Sequence, residues 1–262
     1  MPTFNSGRFI LDAITSVVLQ SHRNWELIII DDGSTDETHD LLEPLQRLDE
    51  RITVLNVTEN LGQAHARNLG MKAASGELLA FLDADDIWDP QKLNDQIQFM
   101  RRERVDFSYT SFFRINSDLS RISSPIKIPK IVTPDLIDQY NPIPLLTAMV
   151  RKDIVLGHSF DTRLFNAEDY QFWREIIHSG HPCRALNLPL AYYRVVNGST
   201  SHRFYRCIPG VVEINMKYRP NLGSSIHGIL SYLYRSSLKH LEYRYRNKMR
   251  PRIKPDLKNS LR

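Results

Sequence analysis

Three aspartates, Asp83, Asp85 and Asp86, stand directly behind the apolar run Leu78-Leu79-Ala80-Phe81-Leu82. That run follows Gly76 and reads as a fully buried strand. In extended backbone, residues two apart point the same way, so Asp83 and Asp85 are expected to present their carboxylates on one side. Close like charges repel, and with no cation between them one carboxyl is pushed towards its protonated form or the fold is weakened. A hard divalent cation resolves the conflict, and Mg²⁺ binds through one or two carboxylates plus substrate phosphates. The plainer reading is a solvated acidic turn before a helix, with Asp89 as N-cap and Pro90 at the first helical position. Asp89 fits that plain role. Two further acidic pairs stand at element ends: Asp31-Asp32 closes the apolar segment 25–30, and Glu168-Asp169 opens a helical pattern over 167–178.

The elements that must position these groups alternate. Phe9, Ile10, Ala13, Ile14, Val17 and Val18 recur at helical spacing, predicting a helix over 9–20. A strand follows at 25–30. Ser34 and Glu37 have the spacing of a capping box, opening a helix that runs to about residue 48. Strands at 52–57, 78–82 and 105–110 then alternate with helices at 63–74 and 92–102, after a turn at Asn60-Leu61-Gly62. This order predicts an α/β fold with a largely parallel sheet and helices on both faces. Ligands of such sheets bind outside the carboxyl ends of the strands, where both Asp31/Asp32 and Asp83/Asp85 fall. Beyond residue 111 the pattern loosens around Pro125, Pro129, Pro134, Pro142 and Pro144. A strand is expected at 145–150 and the acidic-tipped helix ends at Gly180. After it come a strand at 190–196, a polar loop at 197–202 and helices at 204–218 and 224–247. The last dozen residues are expected to be disordered.

With 262 residues the chain can bury a large core as one α/β domain or two abutting halves. No apolar run approaches the roughly 20 residues of a membrane-spanning helix, and no secretory signal is present. Cys183 and Cys207 have no metal-like spacing and read as reduced thiols of a cytoplasmic protein. The net charge of +4 is uneven: residues 235–262 hold ten Lys/Arg against Glu242 and Asp256, leaving the body with 24 basic and 28 acidic residues. The basic balance of the whole chain therefore says nothing about nucleic-acid binding by the body, and no nucleic-acid partner is expected. Ile226, Ile229, Leu230, Leu233, Leu238 and Leu241, interleaved with tyrosines ahead of the basic cluster, have the pattern of an interfacial helix drawn to anionic lipid. A helix packed on the body with a solvated face would show the same pattern.

Several runs together carry a family resemblance: Pro2-Thr3-Phe4-Asn5, the 28–36 run Ile-Ile-Ile-Asp-Asp-Gly-Ser-Thr-Asp, and Asn60-x-Gly62-x-x-x-Ala66-Arg67-Asn68-x-Gly70. Ala74-x-Gly76-Glu77, the 81–86 run and Glu168-Asp169-x-x-x-Trp173 complete the set. Over residues 2–200 the chain resembles the family 2 glycosyltransferases. The resemblance implies a GT-A fold, Rossmann-like with a mostly parallel sheet flanked by helices, followed here by a helical C-terminal extension. It implies transfer of a sugar from a nucleotide-diphosphate donor, expected to be a UDP-sugar, with inversion and with Mn²⁺ or Mg²⁺. By the same resemblance Asp32 would accept hydrogen bonds from the donor base, Asp83 would lie near the ribose, and Asp85 would bridge the metal to the diphosphate. Asp169 would be the catalytic base, Pro2, Thr3 and Asn5 would lie against the nucleotide, and Arg67 would approach the base or phosphates. Tyr193, Arg194 and His202 fall where the family places a loop over the donor, although His202 reads more simply as a surface histidine. Trp25, Trp88 and Trp173 read most simply as core or pocket-wall aromatics, with Trp88 a lesser candidate for a substrate contact.

The chemistry is coherent on its own terms. A displacement at an anomeric carbon needs charge absorbed on the departing diphosphate, which a metal does as a Lewis acid. It also needs a carboxylate to take the acceptor's proton. An aspartate in a first helical turn is expected to stay ionised beside the positive helix end. A retaining double displacement would need a second carboxylate as nucleophile, and Glu168 is expected to project elsewhere. The expected organisation is a nucleotide-sugar-binding half at 1–110, an acceptor and base half at 111–202, and a helical, basic tail at 203–262. The expected acceptor is lipid-linked or polysaccharide, in O-antigen, capsule or exopolysaccharide synthesis, at the inner face of the plasma membrane. Rival readings are a sugar nucleotidyltransferase, for which Asn5-Ser6-Gly7-Arg8 is a poor phosphate loop, and a degenerate nucleotide-binding or scaffold relative. One departure stands out: the family carries an apolar strand directly before Pro-Thr-Phe-Asn, whereas this sequence opens at the turn. Its two neighbours are then expected to lack a shared partner, so that either the true start lies upstream or the product folds poorly.

Overall fold

The computed structural model describes residues 1–196, 207–218, 221–246 and 250–251. In the first half the elements are β1 (Pro2–Thr3), α1 (Ile10–Val18), β2 (Leu27–Asp32), α2 (Thr38–Leu48), β3 (Ile52–Val57), α3 (Gln63–Ala73), β4 (Leu78–Ala80), β5 (Ile87–Trp88), α4 (Lys92–Glu103) and β6 (Phe107–Asn116). The second half adds β7 (Arg121–Ile122), β8 (Ile131–Val132), α5 (Pro134–Ile137), β9 (Met149–Arg151), α6 (Lys152–Val155), α7 (Glu168–His178), β10 (Cys183–Val195), α8 (Ile208–Tyr218), α9 (Leu222–Arg246) and β11 (Arg250–Pro251).

β1, β2 and β3 form a parallel sheet in that order. Ile10, Ala13, Ile14 and Val17 of α1 are buried in the same cluster as Leu27 and Ile29 of β2, as their spacing requires. The larger sheet is mixed. Its order is β11-β7-β6-β10-β5, with β9 pairing both β4 and β6 and β8 pairing β10. Only β6 and β10 run parallel there; the remaining pairs are antiparallel. The expectation of a largely parallel sheet therefore holds for the first three strands and for the pair of β6 and β10. Beyond β6 the chain returns through a tight turn at Leu119, whose φ is +59°, instead of crossing over through a helix.

Several local expectations are corrected. The strand at 78–82 stops at Ala80. Ser34 and Glu37 form no capping box: the Ser34 hydroxyl accepts from the Asn5 N–H, and Asp36 accepts from the N–H of Thr38. Asp89 accepts from the N–H of Gln91, one turn ahead of α4, which begins at Lys92. The 145–150 segment is a 3-10 turn at Leu145–Thr147 followed by β9. Trp88 lies in the core, donating its indole N–H to the Leu146 carbonyl. Arg250–Pro251 pairs with β7, where disorder is the sequence expectation.

The expected split between sheets is present. β2 and β4 share no strand among the described residues, and a cavity of about 680 Å³ lies between them. Leu27, Ile28, Leu78, Leu79, Ala80 and Phe81 line it. Met1 closes one end: its carbonyl accepts from the Ile30 N–H at 2.9 Å, and its ammonium donates to the Ile28 carbonyl at 2.8 Å. Burial pushes that amine down to about 5. Placing five β-branched apolar residues before Met1 replaces the buried amine by a peptide N–H and offers partners to both edges. The expected result is a Tm higher by at least about 5 °C, equivalent to roughly 2 kcal/mol at this chain length, in a calorimetric scan. A polar Gly-Ser extension is expected to give no gain.

Candidate active site

The residues singled out in the sequence converge on one open cleft of about 850 Å³. Pro2, Thr3, Asn5, Asp32, Arg67, Asp83, Asp85 and Asp169 all line it.

On one side the carboxyl end of β2 supplies Asp32, whose two oxygens accept the N–H groups of Leu61 (3.1 Å) and Gly62 (2.7 Å). Gly62 has a φ of +92°, a conformation few other residues adopt, so the turn can bend its amides onto Asp32. Asn5, itself at φ +49°, accepts the N–H groups of Thr35 and Asp36 on its side-chain oxygen. It ties the first turn of the chain to the loop after β2. The hydroxyl of Thr3 is buried without a partner.

The acidic loop is a turn, not extended backbone: the Asp86 N–H donates to the Asp83 carbonyl at 3.1 Å. Alternation thus cannot explain why Asp83 and Asp85 face one cleft; the turn brings them there. Burial first, and the charge of Asp83 second, push Asp85 up to about 6. Asp86 is fully enclosed and raised well above its usual range, by burial and then by Asp85 and Asp83. One of its oxygens accepts the Arg194 N–H at 2.7 Å and the other has no partner. Crowding of this kind is relieved by a proton, a donor or a cation. Among the described residues no three His, Cys, Asp or Glu side chains enclose a metal by themselves. The donor set therefore fits a hard ion held by one or two carboxylates, with further oxygens from a bound phosphate.

The opposite wall is the N-terminus of α7. Glu168 is buried there and accepts from Gln63 (2.5 Å) and from Arg67 (3.0 Å). Arg67 also reaches Asp83 at 2.9 Å and the Gln63 side-chain oxygen at 3.2 Å. Both of its terminal nitrogens are thus engaged by protein groups, and Arg67 bridges the acidic loop to α7 where the family resemblance implies a donor contact. Asp169 opens towards the cleft, accepting from its neighbour's Tyr170 N–H (2.7 Å) and from the Asn141 amide (3.0 Å). The sequence expectation that the helix end keeps Asp169 ionised is corrected. Burial and the adjacent Glu168 raise it to about 7, outweighing Arg67 and the Tyr170 N–H.

Of the expected loop residues, Tyr193 lines the cleft, Arg194 is buried behind the acidic loop, and His202 lies outside the described residues. Asn141, Gln63 and Asp86 were not singled out for the site from the sequence. Asn141 stands in a proline-rich connection with no periodicity to mark it, whereas Asp86 and Glu168 each adjoin a residue that was.

The profile of glycosyl transferase family 2 matches residues 1–186. The chain is 36% identical over 200 residues to the putative teichuronic acid biosynthesis glycosyltransferase TuaG of Bacillus subtilis (strain 168), covering 76% of this chain and 79% of that protein. It is 30% identical over 249 residues to the UDP-Glc:alpha-D-GlcNAc-diphosphoundecaprenol beta-1,3-glucosyltransferase WfgD of Escherichia coli, covering 94% and 95% of the two chains. Residues 1–349 of S. aureus TarS, in complex with UDP-GlcNAc, superpose with a TM-score of 0.68 at 19% identity, covering 99% of this chain and 76% of that one. The fold is GT-A, and the chain belongs to glycosyl transferase family 2.

Proposed function

We propose that this chain transfers a sugar, with inversion, from a UDP-sugar to a hydroxyl of a lipid-linked acceptor in the synthesis of a cell-surface polysaccharide. The observation that carries the reading is the meeting of Asp32, Asp83, Asp85 and Asp169 in one cleft. The nucleotide lies against Pro2, Thr3, Asn5, Asp32 and Asp83, in the half spanning residues 1–110. The acceptor enters through the half spanning 111–202, with the helices of 203–262 beside it. WfgD, by its name, glycosylates a diphosphoundecaprenol-linked sugar, which supports the acceptor class.

Asp85, with Asp83 beside it, would hold Mn²⁺ or Mg²⁺. Such an ion supplies Lewis-acid neutralisation of charge on a departing diphosphate. Asp169 removes the proton of the acceptor hydroxyl. That oxygen bonds to the anomeric carbon from the face opposite the diphosphate, as the bond from carbon to diphosphate oxygen breaks. Asn141 orients the carboxylate of Asp169. Glu168 is engaged by Arg67 and Gln63, which leaves one carboxylate of the pair for proton transfer and favours a single displacement.

Metal-dependent release of nucleoside diphosphate from a nucleotide sugar tests the reading; release of pyrophosphate would point to a nucleotidyltransferase, and neither to a scaffold. Asp169→Asn is expected to lower kcat by about 10²–10⁴ while UDP still binds, as titration calorimetry would show. Asp85→Asn is expected to abolish the Mn²⁺ dependence of UDP binding. Because a base must be deprotonated, kcat/KM should climb as pH rises and level off above about 7, following Asp169. A flat profile between pH 5.5 and 8 would remove Asp169 from the role.

Membrane contact belongs to the same reading. No helix among the described residues is long and apolar enough to cross a membrane. Ile226, Leu230 and Tyr234 recur at helical spacing along α9 and are exposed, and the basic run of 235–262 follows. This arrangement suits an anionic bilayer surface at the cytoplasmic face. Co-sedimentation with vesicles containing phosphatidylserine is expected, and removal of residues 244–262 should abolish it.

A further inference from the structure

The acidic loop carries three carboxyl groups within four residues, and one strand-borne guanidinium grips it from behind. Arg194 lies near the end of β10, in register with Ile115 of β6, with its side chain almost completely buried. Its backbone N–H donates to an Asp86 oxygen at 2.7 Å, and its Nε donates to the Asp85 carbonyl at 2.6 Å. One terminal nitrogen reaches the Ser117 carbonyl (2.9 Å) and the other pairs with Asp12 of α1 (2.7 Å). The ring of Phe9 lies 4.7 Å from the guanidinium carbon.

These contacts differ in kind from those of Arg67. Arg67 pairs with a side-chain oxygen of Asp83 that could itself serve a ligand. Arg194 takes no side-chain oxygen of Asp83 or Asp85. It holds the peptide carbonyl of Asp85 and the side chain of Asp86, and so fixes the backbone from which the Asp85 carboxylate projects. The guanidinium is itself fixed by α1, by the connection after β6 and by the ring of Phe9. A planar fork suits these diverging acceptors, and an ammonium can offer only a point charge.

We propose that Arg194 is a positioning residue for the metal-binding carboxylate of Asp85, its guanidinium acting through the Asp85 carbonyl, with Asp12 holding the guanidinium in register. The assignment rests on the metal reading of Asp85 given above. Groups behind a metal ligand commonly change metal affinity by about 10–100-fold when removed. Arg194 touches neither the cleft nor the reacting atoms, so its loss acts on metal affinity and leaves the proton transfer at Asp169 in place.

The test is titration calorimetry of Mn²⁺ into the full chain saturated with UDP, alongside the Mn²⁺ dependence of turnover. Arg194→Gln is expected to raise the Kd for Mn²⁺ by about 10–100-fold. At saturating Mn²⁺ its kcat should stay within about threefold of the parent, with an unchanged pH profile. Arg194→Lys should recover little, because it keeps the charge and loses the fork. Asp12→Asn keeps the guanidinium but loosens it, and is expected to raise the Kd severalfold. It serves as the informative variant if Arg194→Gln does not fold. Unchanged Mn²⁺ affinity in folded Arg194→Gln, or in Asp12→Asn where Arg194→Gln does not fold, would overturn the positioning role; so would full recovery by lysine. If the parent chain itself binds no Mn²⁺ in the presence of UDP, the metal reading fails first.

Discussion

Among the described residues, six carboxyl groups, from Asp32, Asp83, Asp85, Asp86, Glu168 and Asp169, share the wall of one cleft with one guanidinium, that of Arg67. Such crowding is unfavourable unless each group finds a donor, a cation or a proton. The molecule uses all three. Backbone amides satisfy Asp32, Arg67 serves Asp83 and Glu168 together, and Arg194 grips the turn from the rear. Burial and like charge raise Asp86 well above its usual range, and raise Asp85 and Asp169 to about 6 and about 7. The two groups assigned the chemistry are among the carboxyls that the protein leaves incompletely compensated.

Packing ties these groups to one another across the fold. Phe81, just before the acidic turn, meets Trp173 of α7 edge-on with ring centroids 5.6 Å apart, and also contacts Phe160 and Phe172. α7 carries Glu168 and Asp169 at its start, so the core that seats Phe81 also sets the base against the acidic loop. Arg67 repeats the link in polar form. Two independent contacts, one apolar and one ionic, thus span the same two elements. At Asp169 the competition of effects has a clear winner: loss of solvation and a neighbouring carboxylate outweigh the helix terminus and Arg67, as burial generally outweighs a partial charge of half a unit.

Much of this was legible beforehand, and the failures have physical causes. Ile52–Val57 and the start of α3 at Gln63 follow from apolar periodicity and from the turn at Gly62. Pro2, Thr3, Asn5, Asp32, Arg67, Asp83, Asp85 and Asp169 line the cleft, because carboxyl ends of strands and the N-terminus of a helix are local features that topology brings together, whereas Arg194 and Trp88 lie behind it. The backbone of the acidic loop was misjudged because periodicity cannot see that a strand ends at Ala80. The ionisation of Asp169 was misjudged because a sequence shows the helix end but not the burial. Asn141 and the rear grip of Arg194 depend on contacts across 28 and 109 residues of chain, which no local pattern encodes. The mixed larger sheet was missed because its hairpin turns on a leucine, Leu119, and not on a glycine or asparagine.

The interruption between β2 and β4 has a consequence for the chain in company. Strand borders that face a vacant apolar channel are templates for any stretched polypeptide that comes near. The border of β4 carries no proline or lysine within Leu78–Ala80, whereas that of β2 is met by Met1, Pro2 and Thr3 at Ile28, Ile30 and Asp31. An extended segment seated there, whatever its source, would join the two sheets into one and brace the loop after β2 against the turn after β4.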